Sequence, residues 1–116
     1  MSEKSDQMTN EEVLKYTSRL FNFVKRAKIL IVGRQAIEKN KHRLHFVLLT
    51  NSISKKSEKE ICEKFKYYPV IKCYEETDIE EHFDFKGTKV LAFEKGDLAK
   101  SIYQELKRFR INQSIH

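Results

Sequence analysis

Apolar residues fall into two patterns along this chain: short uninterrupted runs, and longer stretches in which they recur at helical spacing. Four runs are of the first kind, Ile29 to Val32, Leu44 to Leu49, Val70 to Tyr74 and Val90 to Phe93. They are too brief and too rich in β-branched and aromatic residues for helices, so four strands are expected. Because the runs are mostly apolar rather than alternating, the sheet they build should be covered on both faces.

The second pattern supplies the covers. Thr9 followed three residues later by Glu12 makes a capping box, and Val13, Leu20, Phe21 and Val24 share a face behind it, which predicts a helix from Asn10 to Ala27. Helices are also predicted over Arg34 to Asn40, over Lys55 to Lys66 with Ile61, Cys62 and Phe65 inward, and over a short acidic piece from Asp78 to His82. A last helix, Lys95 to Phe109, carries Leu98, Ile102, Leu106 and Phe109 at spacings of four, four and three. Helix and strand alternate, so the fold class is α/β: a three-layer α/β/α sandwich around a central four-stranded, mostly buried mixed sheet. Residues 9–110 form one domain in this reading, with a flexible N-terminus over 1–8 and a flexible tail from Ile111 to His116.

Composition agrees with one core and an ionic surface. The chain has 116 residues, 40% of them hydrophobic and 34% charged, and a second independent core would leave each half marginal. Its formal net charge is +6 and its pI about 9.3, which favours polyanionic partners because Lys and Arg release counterions from phosphates. Met1 to Asp6 are polar and offer no signal-peptide core, and no stretch approaches the roughly 18 to 20 apolar residues needed to cross a bilayer. Cys62 and Cys73 form neither a CxxC pair nor a disulfide framework, although their spacing does not exclude a bridge. A cytoplasmic protein without a membrane partner is expected.

Catalytic signatures are missing. Gly33, Gly87 and Gly96 cannot make a phosphate-binding glycine loop, and His42, His45, His82 and His116 lack metal-ligand spacing. His45 is read as a hydrogen-bonded structural histidine inside a strand, and His42 as part of a basic turn. The acids Glu75, Glu76, Asp78, Glu80 and Glu81 read as a solvated face favouring a helix N-terminus rather than an acid/base pair. No enzyme activity, metal or cofactor is predicted.

Two loops carry candidate binding chemistry. At Val32-Gly33-Arg34-Gln35 a strand feeds straight into a helix, whose start exposes unpaired backbone donors beside a glycine. Arg34 can fork onto a phosphate or a guanine edge, and Gln35 can both donate to and accept from a base. The local alternative is that Gly33 only makes a tight turn and Arg34 is solvated. Lys39, Lys41 and Arg43 extend the basic region. In Phe85-Lys86-Gly87-Thr88-Lys89, an aromatic ring for base stacking sits beside lysines for phosphates; the alternative is that Phe85 is buried and the rest is an ordinary turn.

These elements together carry a resemblance. Leu20-Phe21-Asn22-Phe23-Val24-Lys25-Arg26-Ala27, the strand ending at Gly33, Leu44 to Leu49, Val70, and Val90-Leu91-Ala92-Phe93 resemble the ribosomal L-seven-Ae family of kink-turn RNA binders, most of all its small bacterial members. The resemblance spans Leu20 to Ile102. In that family a Gly-x-Asn-Glu stretch opens the second helix and reads tandem sheared G·A pairs; Gly33-Arg34-Gln35-Ala36 stands in its place, with Gln35 imitating the asparagine and Ala36 lacking the glutamate's acceptor. The family's polar residue before the glycine is Val32 here. Lys39 matches a phosphate-contacting lysine of the archaeal pattern. The resemblance also implies RNA contacts at Phe85, Lys86 and Lys89, in the loop before the last strand, and at Asn51 and Ile53 beside the protruding nucleotide. The expected function is noncatalytic binding of structured RNA, kink-turn-like or looped, with ribosomal RNA as a candidate target, by largely electrostatic contact. The alternative is a protein-interaction module of the same fold that has lost kink-turn recognition.

Overall fold

In a computed structural model describing residues 7–113, the four expected strands pair into one sheet. They are β1 (Leu30–Val32), β2 (Leu44–Leu49), β3 (Val70–Lys72) and β4 (Val90–Glu94), in the spatial order β1-β4-β2-β3. β4 runs antiparallel to both β1 and β2, and β3 runs parallel to β2, with Val47 opposite both Ala92 and Val70. The sheet is therefore mixed.

Among the described residues six helices cover it: α1 (Asn10–Ser18), α2 (Phe21–Ala27), α3 (Arg34–Lys39), α4 (Lys55–Lys64), α5 (Glu76–Phe83) and α6 (Asp97–Leu106). Phe46, Leu48, Leu91 and Phe93 face one way, into a core with Val13, Phe21, Val24, Ile79 and Ile102 of α1, α2, α5 and α6. Val47, Leu49 and Ala92 face the other way, against Ile37 and Ile61 of α3 and α4. Period-two alternation within buried strands thus feeds two separate cores, which makes the three-layer α/β/α sandwich. No helix among the described residues is long and apolar enough to cross a membrane.

Several boundaries differ from the sequence expectation, and three of the differences have a visible cause. The single helix over Asn10 to Ala27 is broken at Arg19 and Leu20. The Thr9–Glu12 capping box forms as expected, but the Ser18 hydroxyl donates to the Lys15 carbonyl (2.8 Å) and Leu20 N–H to Thr17 (2.9 Å), tightening the last turn. α5 starts two residues earlier than Asp78, because the Asp78 carboxylate accepts the Glu75 N–H (2.8 Å). The strand expected to run to Tyr74 ends at Lys72; Tyr74 takes a positive φ of 69° and donates its hydroxyl to the Leu14 carbonyl (2.6 Å).

Both ends of the domain are more engaged than expected. Met8 packs on the core and its carbonyl accepts from Arg108 (2.9 Å), whereas Met1 to Asp6 lie outside the described residues. Ile111 and Asn112, expected in a loose tail, close the free edge of β3. Ile111 N–H donates to the Val70 carbonyl (2.9 Å), and the Asn112 side chain accepts the Val70 N–H (2.8 Å) while donating to Tyr68 (2.8 Å). An edge strand left open would template pairing with another chain, and this segment covers it. The end of the expected tail, including His116, lies outside the described residues.

Cys62 and Cys73 are free thiols packed on opposite cores, and burial raises the pKa of both. His45 is held by rings rather than by the expected hydrogen bond: Tyr103 and Phe46 meet it edge-on at 5.5 and 5.8 Å between centroids. Burial, then Lys100 and Lys95, lower its pKa from the ordinary 6.5. The unfolded chain therefore binds this proton more readily, so the stabilisation is present above about pH 6.5 and is lost as pH falls. Thermal midpoints should drop between about pH 7 and pH 5, and His45→Phe should flatten part of that drop; an unchanged slope would remove His45 as a contributor.

Candidate functional site

The strand directions bring several loops to one end of the sheet. β1, β2 and β3 finish there and β4 begins there, so the connections after β1, after β2 and before β4 lie side by side. Crevices at such strand ends are where open α/β sheets collect ligands. Two backbone bonds tie the loops together: Gly33 N–H donates to the Val90 carbonyl (3.2 Å), and Thr50 N–H to the Lys89 carbonyl (3.0 Å).

The result is a shallow cleft of about 340 Å³ between the two loops singled out from the sequence. Val32 and Val90 line it together with Gly33, Arg34, Gly87, Thr88 and Lys89. Gly33 has φ +92°, a conformation that disfavours any side chain, although a Cβ there would meet nothing within 4 Å. Open space above it lets a ligand approach the backbone. Its own N–H is already used by Val90, so the unpaired donors are those of the first turn of α3 behind it. That helix has only six residues, so side-chain charge outweighs its dipole.

Arg34 is half-buried and pairs with Glu60 of α4 at 3.2 Å, across 26 residues of sequence. Gln35 is exposed at the next position, whereas Ala36 is half-buried and packs on the α3–α4 core. Lys86 and Lys89 are exposed, and neither has a carboxylate within 4.0 Å among the described residues. Lys39 is also exposed but stands at the far end of α3, roughly 7 Å along the axis from Arg34 by helical rise. Beside it, Lys64 donates to Glu38 at 3.0 Å and holds that carboxyl below its usual pKa.

Other expected contact residues are placed differently. Ile53 is 7% exposed and belongs to the core with Ile61 and Leu49, so its side chain offers no surface to a ligand. Apolar burial decides its position: Ser54 caps α4 by accepting the Ser57 N–H (3.1 Å), and Ile53 is tucked beneath. Asn51 is at the surface, but its amide donates to Glu75 (2.7 Å), and the Ser52 hydroxyl donates to Glu76. Phe85 is 39% exposed and lies apart from the cleft, on an apolar hollow of about 230 Å³ shared with Val24, Leu30 and Phe83. Sequence reading missed Glu60 as part of the site. It carries no local motif, and it reaches Arg34 only through packing of α4 beside α3.

The cleft thus presents positive donors at its mouth with carboxylates behind them. Arg34, Thr88 and Lys89 of its lining suit oxygen acceptors of an anionic ligand, Gln35 is exposed next to Arg34 in sequence, and Asn51 borders the same end through Thr50.

No family model and no curated protein matches the sequence. Solved structures do match the fold. A protein of unknown function from Bacillus halodurans superposes with a TM-score of 0.70 at 15% identity, covering 80% of this chain and 97% of that one. The 15.5kD RNA binding protein of Giardia lamblia superposes with a TM-score of 0.63 at 14% identity, covering 89% and 92%. At these identities it is the fold that is shared, across nearly the whole length of both structures: the chain is an α/β/α sandwich of the kind those two structures have.

Proposed function

We propose that this protein is a noncatalytic, cytoplasmic RNA-binding protein whose cleft between Gly33–Gln35 and Lys86–Lys89 receives a bend or loop of structured RNA. The observation that carries the reading is the meeting of Arg34 and Lys89 across one open cleft, from loops 55 residues apart in sequence. Likeness in fold to an RNA binding protein supports it, as does the net charge of +6. Phosphate contact should dominate. Gln35 and the Thr88 hydroxyl each offer both a donor and an acceptor to a base edge, whereas Ala36 has no polar group and is turned to the core. Ribosomal or other kink-turned RNA is the class of target that this chemistry and the family resemblance suggest.

The test is a titration with three RNAs at several salt concentrations: a kink-turn hairpin, the same hairpin without its sheared G·A pairs, and an unrelated duplex. All three should bind with steep salt dependence, and the kink-turn should be preferred by a factor that Gln35→Ala removes. No binding to any of them at low salt would end the RNA reading. One observation favours the protein-interaction alternative, the apolar hollow beside Phe85, and Phe85→Ala should leave RNA affinity unchanged if that hollow serves another partner.

A further inference from the structure

We infer that the opposite end of the sheet carries a second RNA-contact surface, formed by Lys41, Arg43, Lys66, Tyr67 and Lys95, so that the protein bridges two RNA segments. The inference extends the RNA-binding reading of the cleft, but rests on a different set of residues.

Three contacts assemble this surface. β2 enters the sheet from a 3₁₀ turn over Lys41–Arg43, and Lys95 N–H donates to the Arg43 carbonyl (2.8 Å), bringing the exit of β4 beside the entrance of β2. Lys41 Nζ donates to the Lys64 carbonyl (3.0 Å) and lies 5.0 Å from the centre of the Phe65 ring, drawing in the loop from α4 to β3. On that loop Tyr67 is 71% exposed, more than any other large apolar side chain among the described residues, and Lys66 Nζ lies 5.5 Å from its ring centre. The six residues of β2 separate this end from the cleft by roughly 17–20 Å, too far for one phosphate to reach both.

Three of the four cations at this end lack an ion pair among the described residues. Lys41, Lys66 and Lys95 have no carboxylate within 4.0 Å among the described residues, and Arg43 is paired with the half-buried Glu94 at 2.9 Å. Glu75 and Glu76, by contrast, are bound to Asn51 and Ser52 at the cleft end. An exposed flat ring amid lysines matches what an unpaired stretch of RNA needs: a platform for one base and cations for the phosphates on either side. A membrane surface would require a broader apolar face than one tyrosine provides.

The experiment titrates a uridine dodecamer and the kink-turn hairpin separately into the full chain, into Lys66→Ala/Tyr67→Ala and into Arg34→Ala/Lys89→Ala, at low salt. Removing Lys66 and Tyr67 should weaken dodecamer binding roughly tenfold, with hairpin affinity unchanged within about twofold. Removing Arg34 and Lys89 should do the reverse. Hairpin fixed to beads should capture labelled dodecamer through the wild-type protein but not through Lys66→Ala/Tyr67→Ala. Dodecamer binding that ignores the Lys66 and Tyr67 changes, or competition of the dodecamer with the hairpin for one site, would overturn the inference while leaving the cleft reading intact. Failure of the hairpin alone would overturn the cleft reading and the bridge, leaving dodecamer binding assigned to Tyr67. Binding to phosphatidylserine vesicles that depends on Lys66 and Tyr67, without any dodecamer binding, would overturn it in favour of a lipid surface. Both altered side chains are at the surface, and circular dichroism of the variant checks that the fold is kept.

Discussion

Replacing Phe93 by alanine is expected to lower the unfolding free energy by about 3–5 kcal/mol, measured by urea denaturation at neutral pH. Phe93 sits on β4, a central strand, with no exposed surface. Its ring stacks on Phe46 of β2 at 4.5 Å between centroids and 14° between planes, in the core shared with α1, α2 and α6. The loss combines the transfer of a whole ring with the cavity left behind, because strands fixed on both sides by hydrogen bonds cannot collapse into the gap. A domain of this size is stable by only about 5–15 kcal/mol, so a large share of the total would go. Phe23→Ala is the control: that ring is 54% exposed on α2, and its removal should change stability by about 0.5 kcal/mol or less. If the two substitutions cost the same, the packing described for the sheet is wrong.

The second large effect concerns the cleft. Arg34→Ala together with Lys89→Ala should weaken binding of the kink-turn hairpin by about tenfold to a hundredfold, and should flatten the plot of log affinity against log salt by roughly one unit per cation. Arg34 is at present tied to Glu60, but both side chains are partly exposed, and a pair of that kind contributes only about 0–1 kcal/mol. A phosphate can therefore take Arg34 from Glu60 at small cost. The same argument gives a change in the opposite direction: Glu60→Gln should tighten RNA binding by a few-fold, since it removes a competing acceptor and a repulsive charge. Weaker binding by Glu60→Gln would mean that Glu60 orients Arg34 rather than competing for it. An unchanged salt slope in the double variant would take both cations out of the interface.

Sequence reading located the two loops of the cleft because each has a local signature. Gly33 interrupts a β-branched run, and Gly87 sits among lysines. It could not show that Ile53 is buried, since a single isoleucine after a strand has no periodicity to reveal its side. Nor could it show that Asn51 is engaged with Glu75, a partner 24 residues away. The second basic surface was hidden for the same reason: Lys41, Lys66 and Lys95 come from three connections that only the sheet gathers at one end.

Apolar runs and helical spacing were enough to determine that this chain builds four strands, covers both faces with helices and exposes a basic surface, because each of those facts depends on residues close together along the chain. Tertiary structure alone decided that β4 lies between β1 and β2 and that Arg110 to Asn112 close the edge of β3. It also decided that Arg34 meets Glu60 and stands across a cleft from Lys89. The physical reason is that a pattern along the chain says which face of an element must leave water, whereas the partner it finds there is chosen by the packing of all the elements at once.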